Sequence, residues 1–263
     1  MSLVKVLSIN ILNDLRWWRQ RSRLLVNGIA ELQPDLVALQ EVSLPLNNSE
    51  WLADQLGFEY SYLSPKTPPN DQKEGIAILS RFPIQEQQTL DLGSQNRIAQ
   101  LVQVGISGKP LAFVNGHFYF FWPGQPPERL KQIKLLQNWL KDISSKMAVI
   151  VCGDFNGVPD SPAVSQMKTM FQSAYEVRHG NEPEYTVPTP LLRLSKLETV
   201  KYYLRNLIAN RSLKPWRGTL DYIFVNEKII VKKCKIALDQ PAENTKNLFP
   251  SDHFGLMAEL ELL

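Results

Sequence analysis

Six positions in this 263-residue chain, one of them a pair of residues, carry side chains suited to handling a cation and a phosphate, and each lies at the edge of an apolar stretch. The run 4–9 ends in Asn10, 36–40 in Glu41, 111–115 leads to His117, and 148–153 ends in Asp154. Asp221 opens the run 222–225, and the pair Asp252 and His253 opens 254–258. Carboxylates with amide and water oxygens make a hard-cation site suited to Mg²⁺ or Mn²⁺, whereas a structural zinc centre calls for more sulfur and imidazole than two Cys and three His provide. Such a cation neutralises charge on a phosphoryl oxygen, a carboxylate accepts a proton from attacking water, and an imidazole oriented by a second carboxylate stabilises the pentavalent centre. Taken singly these signals are weak, since Gly153-Asp154-Phe155-Asn156-Gly157 is also what a tight turn requires. Their recurrence at strand edges is what points to phosphate-ester chemistry.

The elements that must position these residues are mostly strands. Stretches rich in Val, Ile, Leu and Phe at 4–11, 36–40, 75–79, 98–106, 111–115, 148–152, 220–225, 229–238 and 254–260 predict strands. Apolar residues three and four apart predict helices at 23–32, 128–143 and 192–208. Many strands with a few flanking amphipathic helices fit an α/β or α+β, four-layer sandwich of two packed mixed β-sheets flanked by helices. Antiparallel neighbours set the end of one strand beside the start of the next, so all six positions can meet on one edge. No fixed-period repeat or low-complexity tract interrupts the chain, and a single domain over 1–263 is expected.

Composition excludes several classes. With 44% hydrophobic and 21% charged residues the chain is neither disordered nor collagen-like, and a formal charge of +3 is too balanced to predict a polyanionic partner. The longest apolar runs, such as 147–152, fall far short of the roughly 18 residues that cross a bilayer, so no transmembrane segment is expected. The N-terminus enters an alternating pattern without the apolar region and cleavage site of a secretory signal, which predicts a cytoplasmic protein; a monomer is expected. Two cysteines make no disulfide framework, and Cys152 inside an apolar run reads as a buried thiol.

Charge is uneven. Between 186 and 217 seven basic residues, among them Arg193, Lys196, Lys201 and Arg205, face the single acid Glu198, leaving the rest of the chain net negative. Leu194, Leu197, Val200, Leu204, Leu207 and Ile208 mark one face of a basic amphipathic helix, a form that lies on an anionic membrane or tracks a phosphate backbone; a helix packed on the core with a solvated basic rim fits as well. A second cluster, Arg16, Arg19, Arg21 and Arg23, follows Asn10. The aromatics Tyr119, Phe120, Phe121 and Trp122 suit stacking on bases or entry into a lipid interface. Arg21, Tyr119, Arg193 and Lys196 are the expected substrate-binding residues.

At these residues the sequence resembles the endonuclease/exonuclease/phosphatase superfamily of metal-dependent phosphoesterases. The matching pieces run in order: Leu7-Ser8-Ile9-Asn10, the stretch 34–42 containing Gln40-Glu41-Val42, the stretch 74–81 from Glu74 to Arg81, Val114-Asn115-Gly116-His117, Gly153-Asp154-Phe155-Asn156, Leu220-Asp221-Tyr222-Ile223-Phe224 and Ser251-Asp252-His253. The resemblance implies that Glu41 ligates Mg²⁺ with Asn10 and Asp252 beside it, that Asp154 activates or orients the nucleophilic water, and that Asn156 holds that water or a phosphate oxygen. It implies an Asp221–His253 dyad whose imidazole meets the scissile phosphate as a cation, a second pair of Glu74 and His117, and a structural Arg81. Gln40-Glu41-Val42 with His117, and Trp18-Arg19-Gln20-Arg21 as a helix start, look more like the deadenylase, sphingomyelinase and phosphatase branches than like apurinic endonucleases. Mg²⁺, with Mn²⁺ as the alternative, and a phosphate-ester substrate, either nucleic acid or anionic lipid, are the implied cofactor and partner.

Overall fold

The structure is a computed structural model that describes every residue except 1, 122–123, 189–196, 198–199, 202, 205–206, 209–215 and 244–247. One mixed six-stranded sheet has the order β13-β14-β1-β2-β4-β3: β13 (Ile229–Ala237), β14 (Gly255–Leu262), β1 (Leu3–Asn10), β2 (Leu36–Ser43), β4 (Glu74–Ser80) and β3 (Tyr60–Pro65). The second has the order β5-β6-β7-β8-β12-β9: β5 (Ile84–Asp91), β6 (Ile98–Ile106), β7 (Lys109–His117), β8 (Ala148–Asp154), β12 (Asp221–Val225) and β9 (Gln172–Ser173). The short strands β10 (Val187–Pro188) and β11 (Arg217–Gly218) pair separately. Within the sheets β1 and β2 are parallel, as are β7 and β8, and the remaining pairs are antiparallel.

Three apolar clusters separate four layers. Val4, Val6, Leu36, Ala38, Phe113, Ile150 and Leu256 fill the space between the sheets. Helices α1 (Trp18–Leu32) and α2 (Asn48–Leu56) cover the outer face of the first sheet, with Leu25, Ile29 and Leu52 packed on Leu7, Ile9 and Leu39. On the second sheet α3 (Pro127–Lys146) lays Ile133, Leu136 and Leu140, spaced three and four apart, against Val114, Val149 and Val151. Two single-turn helices, α4 (Pro162–Met167) and α5 (Ala174–His179), complete the labelled elements. The expected helix 192–208 lies largely outside the described residues, though Leu197, Val200, Lys201, Tyr203, Leu204, Leu207 and Ile208 are helical.

Strand periodicity turns this core into a site. Side chains two residues apart share a face, so the inward row of β1 runs Val4, Val6, Ser8, Asn10, that of β7 Leu111, Phe113, Asn115, His117, and that of β8 Ala148, Ile150, Cys152, Asp154. Each row starts apolar inside the sandwich and ends polar at the same edge. The register agrees: His117 and Asp221 both sit opposite Asp154, from either side of β8. A buried amide layer separates core from mouth. Asn115 donates to the carbonyls of Leu39 and Ala77 at 2.9 and 3.0 Å, across to the other sheet, and accepts from Gln40 at 2.8 Å.

Candidate active site

Two backbone irregularities aim the acidic groups. The register of β2 against β4 slips between Leu39 and Val42, and within that bulge Glu41 has φ 60°. A bulge re-aims a side chain, and a non-glycine residue at positive φ persists only where its surroundings enforce it. Gly153, at φ +140°, lets β8 approach β7 so closely that a Cβ there would lie 1.9 Å from the Gly116 carbonyl oxygen. Asp154 follows directly, and the turn after it closes with a 2.8 Å bond from the Asn156 amide N–H to Asp154 Oδ1.

Asn10 is the hub of the mouth. Its side-chain amide donates to Glu41 Oε1 and to Asp154 Oδ2, both at 3.1 Å, while its Oδ1 accepts from the Leu12 N–H at 3.0 Å. Burial would raise the Glu41 carboxyl, but the Asn13 N–H at 3.0 Å and the Asn10 amide outweigh it and hold Glu41 below the usual carboxylate range. Burial pushes Asp154 up to about 7, with the Asp221 charge adding to the effect and the His253 charge opposing it. Asp252 is also raised, by burial and by the Glu41 charge, despite the opposing pull of His253 and Arg21.

The expected dyad is formed. His253 Nδ1 lies 2.9 and 3.1 Å from the two oxygens of Asp221, and Thr186 Oγ1 donates to Asp221 Oδ2 at 2.6 Å. Burial works against a charged ring, yet the Asp221 charge and hydrogen bond, with Asp154 and Asp252 behind them, hold the His253 pKa well above its ordinary value. The other imidazole differs. His117 Nε2 is 3.4 Å from Asp154 and 4.0 Å from Glu41, but Arg97 Nη1 lies 2.7 Å from both ring nitrogens. Burial first, then the Arg97 and Lys66 charges, keep His117 neutral by pushing its pKa well below 6.5. Glu74 makes its shortest contact with Lys66 and lies 3.7 Å from His117, so the expected Glu74–His117 pair is one part of a four-residue cluster with two buried cations.

Not every expected residue reaches the mouth with a free group. Arg21 is a correction: it is wholly buried, and its guanidinium donates to the backbone carbonyls of Ile11, Leu12, Asp14 and Pro250. Both Nη groups brace the loop after β1, and the remaining Nε–H is buried without a partner, so no donor of Arg21 is open to solvent. The Asn156 amide donates to the Phe118 carbonyl at 3.0 Å, so only its oxygen remains for another partner. Tyr119 is half-buried beside His117. Arg193 and Lys196 lie outside the described residues. Arg81 donates to the Pro34 carbonyl and sits 4.7 Å over the Phe58 ring, a structural role as expected. Arg97 and Lys66 are the residues that the sequence reading missed. Arg97 opens an apolar run just as Asp221 does, so the strand-edge rule would have found it had cations been admitted; Lys66 carries no such mark.

Asp154, Asp221 and His253 offer ligand-type atoms within 4.8 Å of one another. A charged imidazole has no lone pair to give a metal, so this group is an ion-pair network in the protonation state that its surroundings favour. Glu41, Asp252 and the Asn10 oxygen fit a hard cation better: they are oxygen donors, and the two carboxylates repel each other enough for Glu41 to raise Asp252.

A two-sheet sandwich whose polar edge gathers carboxylates, amides and imidazoles from both sheets defines the phosphoesterase class of endonuclease/exonuclease/phosphatase proteins. The chain belongs to the Endonuclease/Exonuclease/phosphatase family, whose model matches residues 7–253, and members of that family are hydrolases acting on phosphate esters. Human Nocturnin is 25% identical over 270 residues, covering 92% of this chain and 58% of that protein. Carbon catabolite repressor protein 4 homolog 3 of Arabidopsis thaliana is 27% identical over 157 residues, covering 55% of this chain and 34% of that protein. The chain thus spans about a third of one relative and less than two thirds of the other. An uncharacterised Escherichia coli protein, YbhP, is 26% identical over 86% of this chain and 95% of its own length. In fold the chain matches D. rerio TDP2 complexed with single strand DNA product, at TM-score 0.79 and 18% identity over 99% of this chain and all of that one. The human Nocturnin catalytic domain with bound sulfate matches at TM-score 0.76 and 22% identity over 100% of this chain and 95% of that one.

Proposed function

We propose that this chain is a divalent-metal-dependent phosphodiesterase, a single domain with a basic insertion at about 186–217, working as a cytoplasmic monomer with Mg²⁺ or, failing that, Mn²⁺. Water attacks the phosphorus in line, a P–O bond breaks, and no covalent enzyme intermediate forms. Glu41, Asp252 and Asn10 would hold the cation, which when bound polarises a phosphoryl oxygen and offsets its charge. Asp154, with a pKa near neutrality, is suited to take the proton of the attacking water. The Asn156 oxygen, left open by the bond from its amide to the Phe118 carbonyl, would orient that water. His253, kept charged by Asp221, faces the phosphoryl group as a fixed cation. Neutral His117, under Arg97, offers a proton-handling group on the opposite side, with Glu74 and Lys66 setting its surroundings.

The single observation that carries this reading is the convergence on Asp154 Oδ2, which lies 3.1 Å from the Asn10 amide, 3.4 Å from His117 Nε2 and 4.0 Å from His253 Nε2. A non-catalytic anion-binding module would have no use for buried, mutually repelling carboxylates. Among diesters a nucleic acid or nucleotide is favoured, because Tyr119, Phe120 and Phe121 follow His117 after the buried Phe118 and aromatic faces stack on bases; Arg193 and Lys196 would then track its backbone. A lipid phosphodiester is the second reading, favoured by the exposed aliphatic residues around the same edge. The test is a panel of single-stranded RNA and DNA, nucleotides, sphingomyelin and inositol phosphates in Mg²⁺ or Mn²⁺. Metal-dependent cleavage of a diester is the expected outcome; no cleavage of any member, or of monoesters alone, would overturn it.

A further inference from the structure

The chain segments that leave the site-bearing strand ends are unusually apolar at their tips. After Asn10 come Leu15 and Trp17, after Glu41 comes Leu46, and after His117 come Phe120 and Phe121, all between 43% and 53% exposed. These tips are not slack. Trp17 is held at φ 63° at the start of α1, and the Gln95 side chain grips Phe120 on both sides, through its N–H and its carbonyl, each at 2.8 Å. A fourth segment, between β10 and β11, is rooted at the mouth through Thr186, which bonds Asp221. There the helical residues Leu197, Val200, Leu204, Leu207 and Ile208 recur at one-face spacing and are 43% to 82% exposed. Apolar side chains at that spacing normally face a core.

We propose that this rim is a docking surface for an anionic phospholipid bilayer. The exposed Leu197, Val200, Leu204, Leu207 and Ile208 would enter the interface between headgroups and acyl chains, and Lys201 and Arg217 would meet the lipid phosphates. Charge selects this occupant. The insertion carries seven basic residues and one acid, and Arg19, Lys201 and Arg217 are exposed among the described residues. A second copy docked through the same face would bring two such segments together and repel itself. A nucleic acid would meet the cations, but Leu15, Leu46, Leu204 and Ile208 have no π face on which to stack a base and would stay exposed to water. Docking and base stacking would draw on the same Phe120, Phe121 and basic insertion, so the proposal rests on the lipid reading of the site, and vesicle binding, read without turnover, fails separately from it.

Co-sedimentation of the full chain with vesicles tests the proposal, using phosphatidylcholine alone and phosphatidylcholine mixed with phosphatidylserine in roughly equal parts. The chain is expected to bind the mixed vesicles roughly tenfold more tightly than the neutral ones, and less tightly as salt rises. The double substitution Leu204→Glu with Ile208→Glu, and separately Phe120→Ser, should each weaken that binding by roughly tenfold while thermal melting stays unchanged, since these side chains are exposed. Failure to bind the mixed vesicles, or equal binding by the variants, would overturn the proposal. So would a self-associated chain that the double variant dissociates, or a rim that retains single-stranded DNA but no vesicles.

Discussion

His117 and His253 share one mouth and are driven to different charge states. Asp221, Asp154 and Asp252 make His253 a cation, whereas Arg97 and Lys66, acting with burial, make His117 neutral. Groups of one type whose environments split their pKa values mark a division of labour, here between a fixed positive charge and a neutral ring held under Arg97. The split carries a sign for stability. A histidine whose pKa is higher folded than unfolded contributes stability that is complete below about pH 6.5 and is lost as pH rises through the folded value. Melting temperature measured against pH should therefore show an alkaline decline above about pH 6.5 in the native chain that is flatter in His253→Asn. An identical alkaline slope in both would contradict the pairing with Asp221. Strand-edge positions singled out Asp221 and His253, and the family resemblance implied that they pair. The sequence reading mistook Arg21 for a substrate contact because nothing in an arginine cluster tells which guanidinium folds back onto backbone carbonyls.

At the scale of the element, strand periodicity does most of the positioning. Rows such as Val4, Val6, Ser8, Asn10 run from core to mouth on one face, so the apolar runs that identify the strands also fix which polar residue faces inward. All nine expected strand regions are present. Two long strands were not legible, β3 and β5, and both lie at sheet edges. β5 reads Ile-Gln-Glu-Gln-Gln-Thr-Leu-Asp and is largely exposed, so it lacks the apolar signal that burial on both faces imposes. The bulge at Glu41 and the close approach at Gly153 were likewise invisible, since both depend on a partner strand. Gly153→Ala should cost about 2–4 kcal/mol, because its Cβ meets backbone that cannot yield. Gly57→Ala, also at positive φ but with open space around it, should cost only about 1 kcal/mol. Thermal unfolding of the two variants checks this, and equal losses would mean that the β7–β8 approach is not what requires glycine.

For the molecule as a whole, four layers leave one polar edge, and the chain's unassigned features gather around it. The family frame was legible because its motifs are spread in order over nearly the entire sequence, and the match over residues 7–253 bears it out. The insertion was legible as a charge pattern and as an apolar face at helical spacing over 192–208, but the exposure of that face was not. Its apolar face shows in exposed residues such as Ile208, which composition alone does not reveal. Among the described residues no helix is long and apolar enough to cross a membrane.

The most direct test of the account is the rate of bis-p-nitrophenyl phosphate hydrolysis with Mg²⁺ and after chelation, in the native chain and in Asp154→Asn and His253→Ala. Turnover should require the metal, and each substitution should lower it by about 10² to 10⁴, the range for a lost acid-base or electrostatic group. Hydrolysis that survives chelation, or that proceeds undiminished in both variants, would contradict the account.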